Sequence, residues 1–298
     1  MNRLMRMVCS IGLTALLCSA WGTAVALDRQ YTVVSPDGVT LAVQEAGDPD
    51  GPAIVFIHGL LGSRLNWQQQ TSSPALQGYR MITYDLRGHG LSGKPQDAEA
   101  YRDGRRYADD LATVIKASGA RRPALVGWSL GGVVISNYLA AYGDAAISGA
   151  VYVDGVIELS AALITPHPDV YAGLASADLP THLDAIHTFL ALCFHVQPDA
   201  ATFARLQSSA AMASWIMTRT TPSMTVHASA GLPRATVPLL AIYGAQDALV
   251  KVQPSLARAS QLNPRVQALL YEDSGHAPFI EESARFNRDL ASFMQTLR

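Results

Sequence analysis

Residues 124–134 read ALVGWSLGGVV. An apolar approach through Ala124, Leu125 and Val126 runs into Gly127-Trp128-Ser129-Leu130-Gly131, and apolar residues return at Val133, Val134, Ile135, Tyr138 and Leu139. The first part has the makeup of a buried strand and the last the spacing of a helix. A hydroxyl therefore stands at a strand-to-helix hinge. Serine is a poor nucleophile until a neighbouring base takes its proton, so a reactive serine must be held exposed at a fixed point within reach of a histidine. A sharp turn does this. It strains the serine backbone and requires tiny residues two before and two after it, here Gly127 and Gly131. The helix starting at Leu130 also points free N–H groups at the place where negative charge develops. Glycine-x-serine-x-glycine recurs by chance; the strand before it and the helix after it give the pattern its weight. The bland alternative is a tight turn whose serine only caps a helix.

The rest of the chain repeats the same alternation. Strands are predicted at 31–34, 39–46, 53–57, 80–85, 123–127, 149–154, 237–244 and 265–272, the first two joined as a hairpin by Pro36-Asp37-Gly38. The later strands are near-continuously apolar, as strands covered on both faces are. Tyr107, Leu111, Val114, Ile115 and Ser118 follow a helical period that Gly119 ends, and Phe286, Leu290, Phe293, Met294 and Leu297 follow another. This is an α/β pattern: a mostly parallel eight-stranded sheet covered by helices on both faces. About 80 residues between the strands at 149–154 and 237–244 hold no convincing strand. They are alanine-rich and broken by prolines, too long for an ordinary connection, and read as a helical insertion over about 157–235.

If Ser129 is a nucleophile, an acid and then a histidine should follow at the ends of later strands. The strand at 237–244 leads into Ala245-Gln246-Asp247, and the strand at 265–272 into Asp273-Ser274-Gly275-His276. His276 is then general base and acid, and Asp247 fixes its tautomer and stabilises the imidazolium. Asp154, ending the neighbouring strand, is the rival acid; it precedes Gly155, where the chain turns toward the insertion. After the strand at 53–57 comes His58-Gly59-Leu60-Leu61-Gly62, a loop able to aim an N–H at the same spot. The backbone N–H groups of Leu60 and Leu130 are assigned to the oxyanion hole, and His58 reads as a structural loop residue.

With these residues in view, the chain resembles the α/β-hydrolases. HGLLGS (58–63), YDLRGHGLS (84–92), GWSLGG (127–132), YGAQD (243–247) and SGHAP (274–278) match that superfamily's landmarks in kind and order. The resemblance spans residues 27–298 and is strongest to the esterase, cofactor-free haloperoxidase and arylesterase-like branch. It implies that the insertion is the family's helical cap, and that Asp85, Arg87 and His89 form a structural turn with locally paired side chains. Serine at 129 sets the chain apart from the members that use a nucleophilic aspartate.

Composition narrows the function. The 298-residue chain is 49% hydrophobic and 15% charged, ample for a large core, and its net charge of −2 leaves no footprint for nucleic acid. MNRLMR is a basic start, MVCSIGLTALL an apolar run, and Ala24-Val25-Ala26 a small-x-small site, so residues 1–26 read as a signal peptide cleaved before Leu27. Ser10, Thr14, Ser19 and Thr23 interrupt it short of the about 20 strongly apolar residues that a stable span needs. The mature chain is expected in the periplasm or outside the cell, with no stable membrane insertion. Cys9 and Cys18 leave with the signal, and Cys193, among Ala191, Leu192 and Phe194, reads as a buried thiol. His167, His182, His187, His195 and His227 lack ligand spacing, so neither a metal nor an organic cofactor is expected. Phe189, Phe194, Phe203, Met212, Trp215 and Met217 are candidate pocket residues, of which two or three are expected to reach substrate.

The reading is an exported serine hydrolase that cleaves small-molecule carboxylic esters through an acyl-Ser129 intermediate. Amide, lactone or carbon–carbon bond hydrolysis, or perhydrolysis, would use the same triad, and fold alone does not separate them. A ligand-binding or sensory protein with little turnover is the rival outside enzymes; a broken triad would mark it.

Overall fold

The computed structural model describes residues 27–297; the signal-peptide reading over 1–26 lies outside the described residues. Eight strands, β1 (Leu27–Val34), β2 (Thr40–Gly47), β3 (Ala53–Ile57), β4 (Arg80–Tyr84), β5 (Ala124–Trp128), β6 (Gly149–Val153), β7 (Leu239–Gly244) and β8 (Val266–Tyr271), form one sheet in the order β1-β2-β4-β3-β5-β6-β7-β8. β1 and β4 both run antiparallel to β2, and every pairing from β4 to β8 is parallel. The central strands β3, β5, β6 and β7 are buried along their whole lengths, which is why their sequences carry continuous apolar runs. β8 departs from the expected double cover. Among the described residues it pairs only with β7, and Gln267, Ala268 and Leu269 are exposed.

Helices supply the cover for the inner strands. Gly104–Ser118 is started by Asp103, whose carboxylate accepts the Arg105 N–H at 2.9 Å, and stopped by Gly119 in the left-handed region at φ 68°. Its buried stripe of Tyr107, Leu111, Val114 and Ile115 lies one helical turn apart, each such side chain contributing roughly 1.5–3 kcal/mol by leaving water. Leu130–Tyr142 is buried through Leu139, so it lacks a polar face and sits inside the molecule. Ser283–Thr296 buries Phe286, Leu290, Phe293 and Met294.

Between β6 and β7 the chain forms helices Pro168–Leu174, Leu179–Leu192, Ala200–Ala210 and Trp215–Thr220, with shorter turns after them. Pro168 and Pro180 stand in first turns, where a missing N–H costs nothing. This insertion is tied to the sheet by polar contacts. Ser214 N–H donates to Gly88 O at 2.8 Å, Val196 N–H to Glu281 Oε2 at 2.8 Å, and Ser209 Oγ to Ser63 Oγ at 2.7 Å. The single antiparallel bridge Ile164–Val250 joins its first residues to the segment after β7.

The turn at 84–92 is structural, but its charges do not pair locally as the resemblance implied. Arg87, fully buried, forms ion pairs with Asp110 of the helix Gly104–Ser118 and with Asp37 of the β1–β2 turn, both at 2.7 Å. Asp85 accepts the Arg64 N–H at 2.7 Å and the Leu91 N–H at 2.9 Å, and pairs with the Arg64 side chain. Burying Arg87 requires partners that satisfy its planar fork, and only segments distant in sequence reach it.

Candidate active site

Parallel pairing from β4 to β8 places the carboxyl ends of these strands at one edge of the sheet, where open α/β sheets bind ligands. β3 delivers His58, β5 delivers Ser129, β6 delivers Asp154, the loop after β7 delivers Asp247, and the loop after β8 delivers His276. Ser129 has φ 53° and ψ −115°, a conformation that costs a non-glycine residue roughly 1–3 kcal/mol. Its neighbours hold it there. Ser129 N–H donates to Val153 O at 3.0 Å, while its carbonyl accepts the N–H groups of Gly132 and Val156 at 2.9 and 3.0 Å. A methyl group on Gly127 would stand 2.5 Å from Gly131 O, and one on Gly131 would stand 2.4 Å from Ile57 O. Glycine is thus required at both positions by space.

His276 and Asp247 meet as the sequence predicts. Nδ1 of His276 lies 2.7 Å from Oδ2 of Asp247, and both side chains are buried. Oδ1 of Asp247 accepts the N–H groups of Leu249 and Val250 at 2.7 and 3.0 Å, which fixes the carboxylate plane. Ser129 and His276 share the wall of one cavity, although no Oγ–Nε2 hydrogen bond is formed; such bonds are often long until substrate binds. The backbone N–H groups of Leu60 and Leu130 have no acceptor among the described residues, and both residues line the same cavity. Leu130 is the first residue of its helix, so its N–H is one of the four that a helix start leaves free.

Two histidines build the loop opposite. His58 Nδ1–H donates to Gly59 O at 2.7 Å, and Nε2 accepts the Leu86 N–H at 2.9 Å. His89 Nδ1–H donates to Arg87 O at 3.0 Å, and Nε2 accepts the N–H of Leu61, next to Leu60, at 3.2 Å. Both rings are wholly buried and meet edge to face at 4.9 Å. Burial lowers His58 to about 4; burial, with the neighbouring His58 ring second, lowers His89 to about 3. Each stays neutral, with one nitrogen donating and one accepting, and so fixes the loop. His58 has the structural role expected of it, whereas His89 reaches past its own turn to the Leu60–Leu61 segment.

Trp128 is a supporting residue that sequence reasoning did not single out. Its indole N–H donates to His276 O at 2.6 Å, and its ring packs on Phe279, which itself packs on Trp67. The position inside the pentapeptide was the available signal; nothing in the sequence reveals the 148-residue contact.

The cavity has a volume of about 360 Å³ and is chiefly apolar. Of the six aromatic and methionine residues expected to supply the pocket, Phe189 alone lines it. Phe194 and Met217 are buried in the core, Phe203 packs on His187, Trp215 packs on His182, and Met212 faces solvent. The wall comes instead from Val156, Leu159, Ile164 and Tyr171, with Leu249 and Val250 from the loop that carries Asp247. Cys193 is buried, and burial pushes its thiol well up, away from a reactive thiolate.

Among the described residues, the one cluster with metal-ligand donors from three residues is Asp154, Asp247 and His276. Most of its donor atoms are engaged within the protein: Asp247 accepts two backbone N–H groups and faces His276 Nδ1, and Asp154 Oδ1 accepts the Gly244 N–H at 2.8 Å, while Asp154 Oδ2 has no hydrogen-bond partner among the described residues. Of the insertion's histidines, His182 is bonded to Leu174 O and His167 to Ala248 O, and none of the five joins a three-donor cluster among the described residues.

A parallel sheet with a strained serine at its switch point and a buried acid–histidine pair beside it defines a serine hydrolase of α/β architecture. The chain belongs to the alpha/beta hydrolase fold family, whose family model matches residues 52–283. It is 65% identical to a proposed aryl esterase from Burkholderia cenocepacia of known crystal structure, over 90% of this chain and 99% of that one, with a TM-score of 0.90. An esterase from Rhodococcus sp. ECU1013 is 28% identical over 90% of this chain and 99% of its own, with a TM-score of 0.81. A proposed non-heme chloroperoxidase from Synechocystis sp. is 27% identical over 281 residues, 89% of this chain and 99% of that protein. The chain is accordingly a serine hydrolase of the esterase and haloperoxidase branch.

Proposed function

We propose that the protein hydrolyses carboxylic esters of small, largely apolar molecules through an acyl-Ser129 intermediate. The observation that carries this reading is the 2.7 Å His276–Asp247 pair beside the cavity of Ser129, whose wall includes Leu60 and Leu130 with N–H groups that have no acceptor among the described residues. Ser129 Oγ attacks the ester carbonyl as His276 Nε2 takes its proton, and Asp247 holds the resulting imidazolium. The oxyanion settles on the Leu60 and Leu130 N–H groups, then collapses, and His276 returns the proton to the leaving alcohol. Water repeats the sequence on the acyl-enzyme and releases the acid. No step calls on a metal or organic cofactor.

A cavity of about 360 Å³ sits near the lower end of the usual range for ligand sites, roughly 300–1,000 Å³. That size supports short acyl groups on aryl or compact alkyl alcohols, and the aryl-esterase relative points the same way. The test is a panel of aryl and alkyl esters, amides and lactones, together with intact-mass analysis after a fluorophosphonate probe. Short-chain aryl esters should turn over fastest, and one adduct per chain should form and vanish in Ser129→Ala. Absence of an adduct on folded protein would sink the acyl-serine mechanism. The layout of residues 1–26 supports export to the periplasm or medium. N-terminal sequencing of exported protein should begin at Leu27, and a chain still starting at Met1 in the membrane fraction would refute this.

A further inference from the structure

Asp154 is a carboxyl group without an obvious reason to be where it is. It is fully buried at the end of β6, holds φ 42°, and donates its own N–H to Ile242 O at 2.8 Å. Its Oδ1 accepts the Gly244 N–H at 2.8 Å, while Oδ2 is buried and finds no donor among the described residues. What it finds is another acid. One oxygen of Asp154, one of Asp247 and one ring nitrogen of His276 all lie within 4.8 Å of one another.

Two buried carboxylates with oxygens within 4.8 Å of one another are not both ionised without a cation between them. Among the titratable groups around this pair are His276, Glu281, Tyr243, Tyr171 and the Cys193 thiol. Glu281 is occupied by the N–H groups of Gly275 and Val196, and Tyr243 donates to Gly155 O. None of these carries a fixed positive charge, and Lys251, four residues past Asp247, donates its ammonium to Ala161 O at 2.8 Å. The count of hydrogen bonds then decides which acid keeps its proton. Asp247 receives two backbone N–H groups and the His276 ring, three donors that stabilise a negative charge, whereas Asp154 receives one.

We propose that Asp154 is a neutral carboxylic acid whose Oδ2–H donates to the Asp247 carboxylate, making it a positioning residue that aims Asp247 at His276. This rests on the Ser129–His276–Asp247 reading. Burial first, and the negative charge of Asp247 second, push the Asp154 carboxyl well above the usual carboxylate range, in agreement with that geometry. The rival acid of the sequence reading is thus a helper of Asp247, one step removed from the imidazole.

Asparagine is the informative replacement. Its Oδ1 can accept the Gly244 N–H, its Nδ2–H can donate to Asp247, and it tolerates a positive φ as aspartate does. Glycine also tolerates that φ but supplies neither group. Infrared difference spectra of wild type against Asp154→Asn at neutral pH should show loss of the C=O stretch of a protonated carboxylic acid; loss of a carboxylate band would overturn the proposal. In ester turnover, Asp154→Gly should fall by up to roughly a hundredfold in kcat, as small misplacements of catalytic groups do, with KM little changed. Without the donor, the Asp247 charge acts more fully on the imidazolium, so the acidic limb of the kcat/KM profile should move upward in pH. Asp154→Asn should restore most of the turnover and the wild-type profile. An Asp154→Asn enzyme as crippled as Asp154→Gly, with the fold intact by circular dichroism, would mean that an ionised carboxylate is needed and would overturn the idea. So would an Asp154→Gly enzyme with wild-type turnover and profile. Retained turnover in Asp247→Asn would instead overturn the triad itself, whatever the infrared spectrum shows.

Discussion

Acidification should destabilise this protein through His58 and His89 before most of its carboxylates are titrated. Both rings are neutral in the folded chain because burial depresses them, from an ordinary 6.5 to about 4 for His58 and about 3 for His89. Above pH 6.5 the folded and unfolded chains are alike in carrying them uncharged. Below it the unfolded chain takes up protons that the folded chain refuses, so stability falls with pH until the folded-state values are reached. Between pH 7 and 5 each ring should therefore cost about 2 kcal/mol, together about 4 kcal/mol, against a total stability that is commonly about 5–15 kcal/mol. His89→Gln removes one of the two sites while offering Oε1 to the Leu61 N–H. Urea unfolding of both proteins at pH 7 and pH 5 isolates the effect, because any destabilisation that glutamine causes by itself is common to both pH values. The expected result is that the variant loses about 2 kcal/mol less than wild type between the two. Equal losses, within a few tenths, would show that His89 is not held neutral, and the account of how the Leu60–Leu61 loop is fixed would fall with it.

Asp247→Asn should lower kcat by roughly 10⁴-fold, since the wrong tautomer of His276 is then favoured, and should slow fluorophosphonate labelling in parallel. Stopped assays and labelling kinetics check both. Trp128→Phe keeps the aromatic packing but leaves His276 O without its buried donor, which should cost about 1–3 kcal/mol in denaturant unfolding and lower kcat. Unchanged stability would show that the indole N–H is dispensable.

The fold was legible because the same physical constraint acts on every central strand. β3, β5, β6 and β7 are covered on both faces, so their sequences have no room for polar residues, and their ends were placed to within about two residues, the usual scatter of such boundaries. Ser129 was legible for a different reason. A residue forced to φ 53° between two glycines that cannot carry a methyl leaves its mark within five positions of the chain. Asp247 and His276 followed from strand order. Arg87 shows the limit of local reasoning: its neighbours in sequence suggested a self-contained turn, yet a buried guanidinium needs more donors matched than a turn can supply, and Asp37 and Asp110 reach it from 50 and 23 residues away.

The cavity was the least legible part, and its residues show why. Helical aromatics such as Phe203 and Trp215 attract attention in a sequence, but they pack on His187 and His182 of the helix Leu179–Leu192, within the insertion and away from the cavity. The wall that substrate meets is set by residues with no period at all, Val156, Leu159 and Ile164, in the strandless segment that leaves β6. Their position is dictated from both ends. Val156 N–H is bonded to Ser129 O at 3.0 Å, and Ile164 bridges to Val250, three residues past Asp247. One segment therefore runs from the nucleophile to the acid and walls the pocket between them. A substitution that loosens Val156 or Ile164 would accordingly disturb the geometry of Ser129 and Asp247 together with the shape of the pocket, so selectivity and rate in this enzyme are coupled through that single stretch of chain.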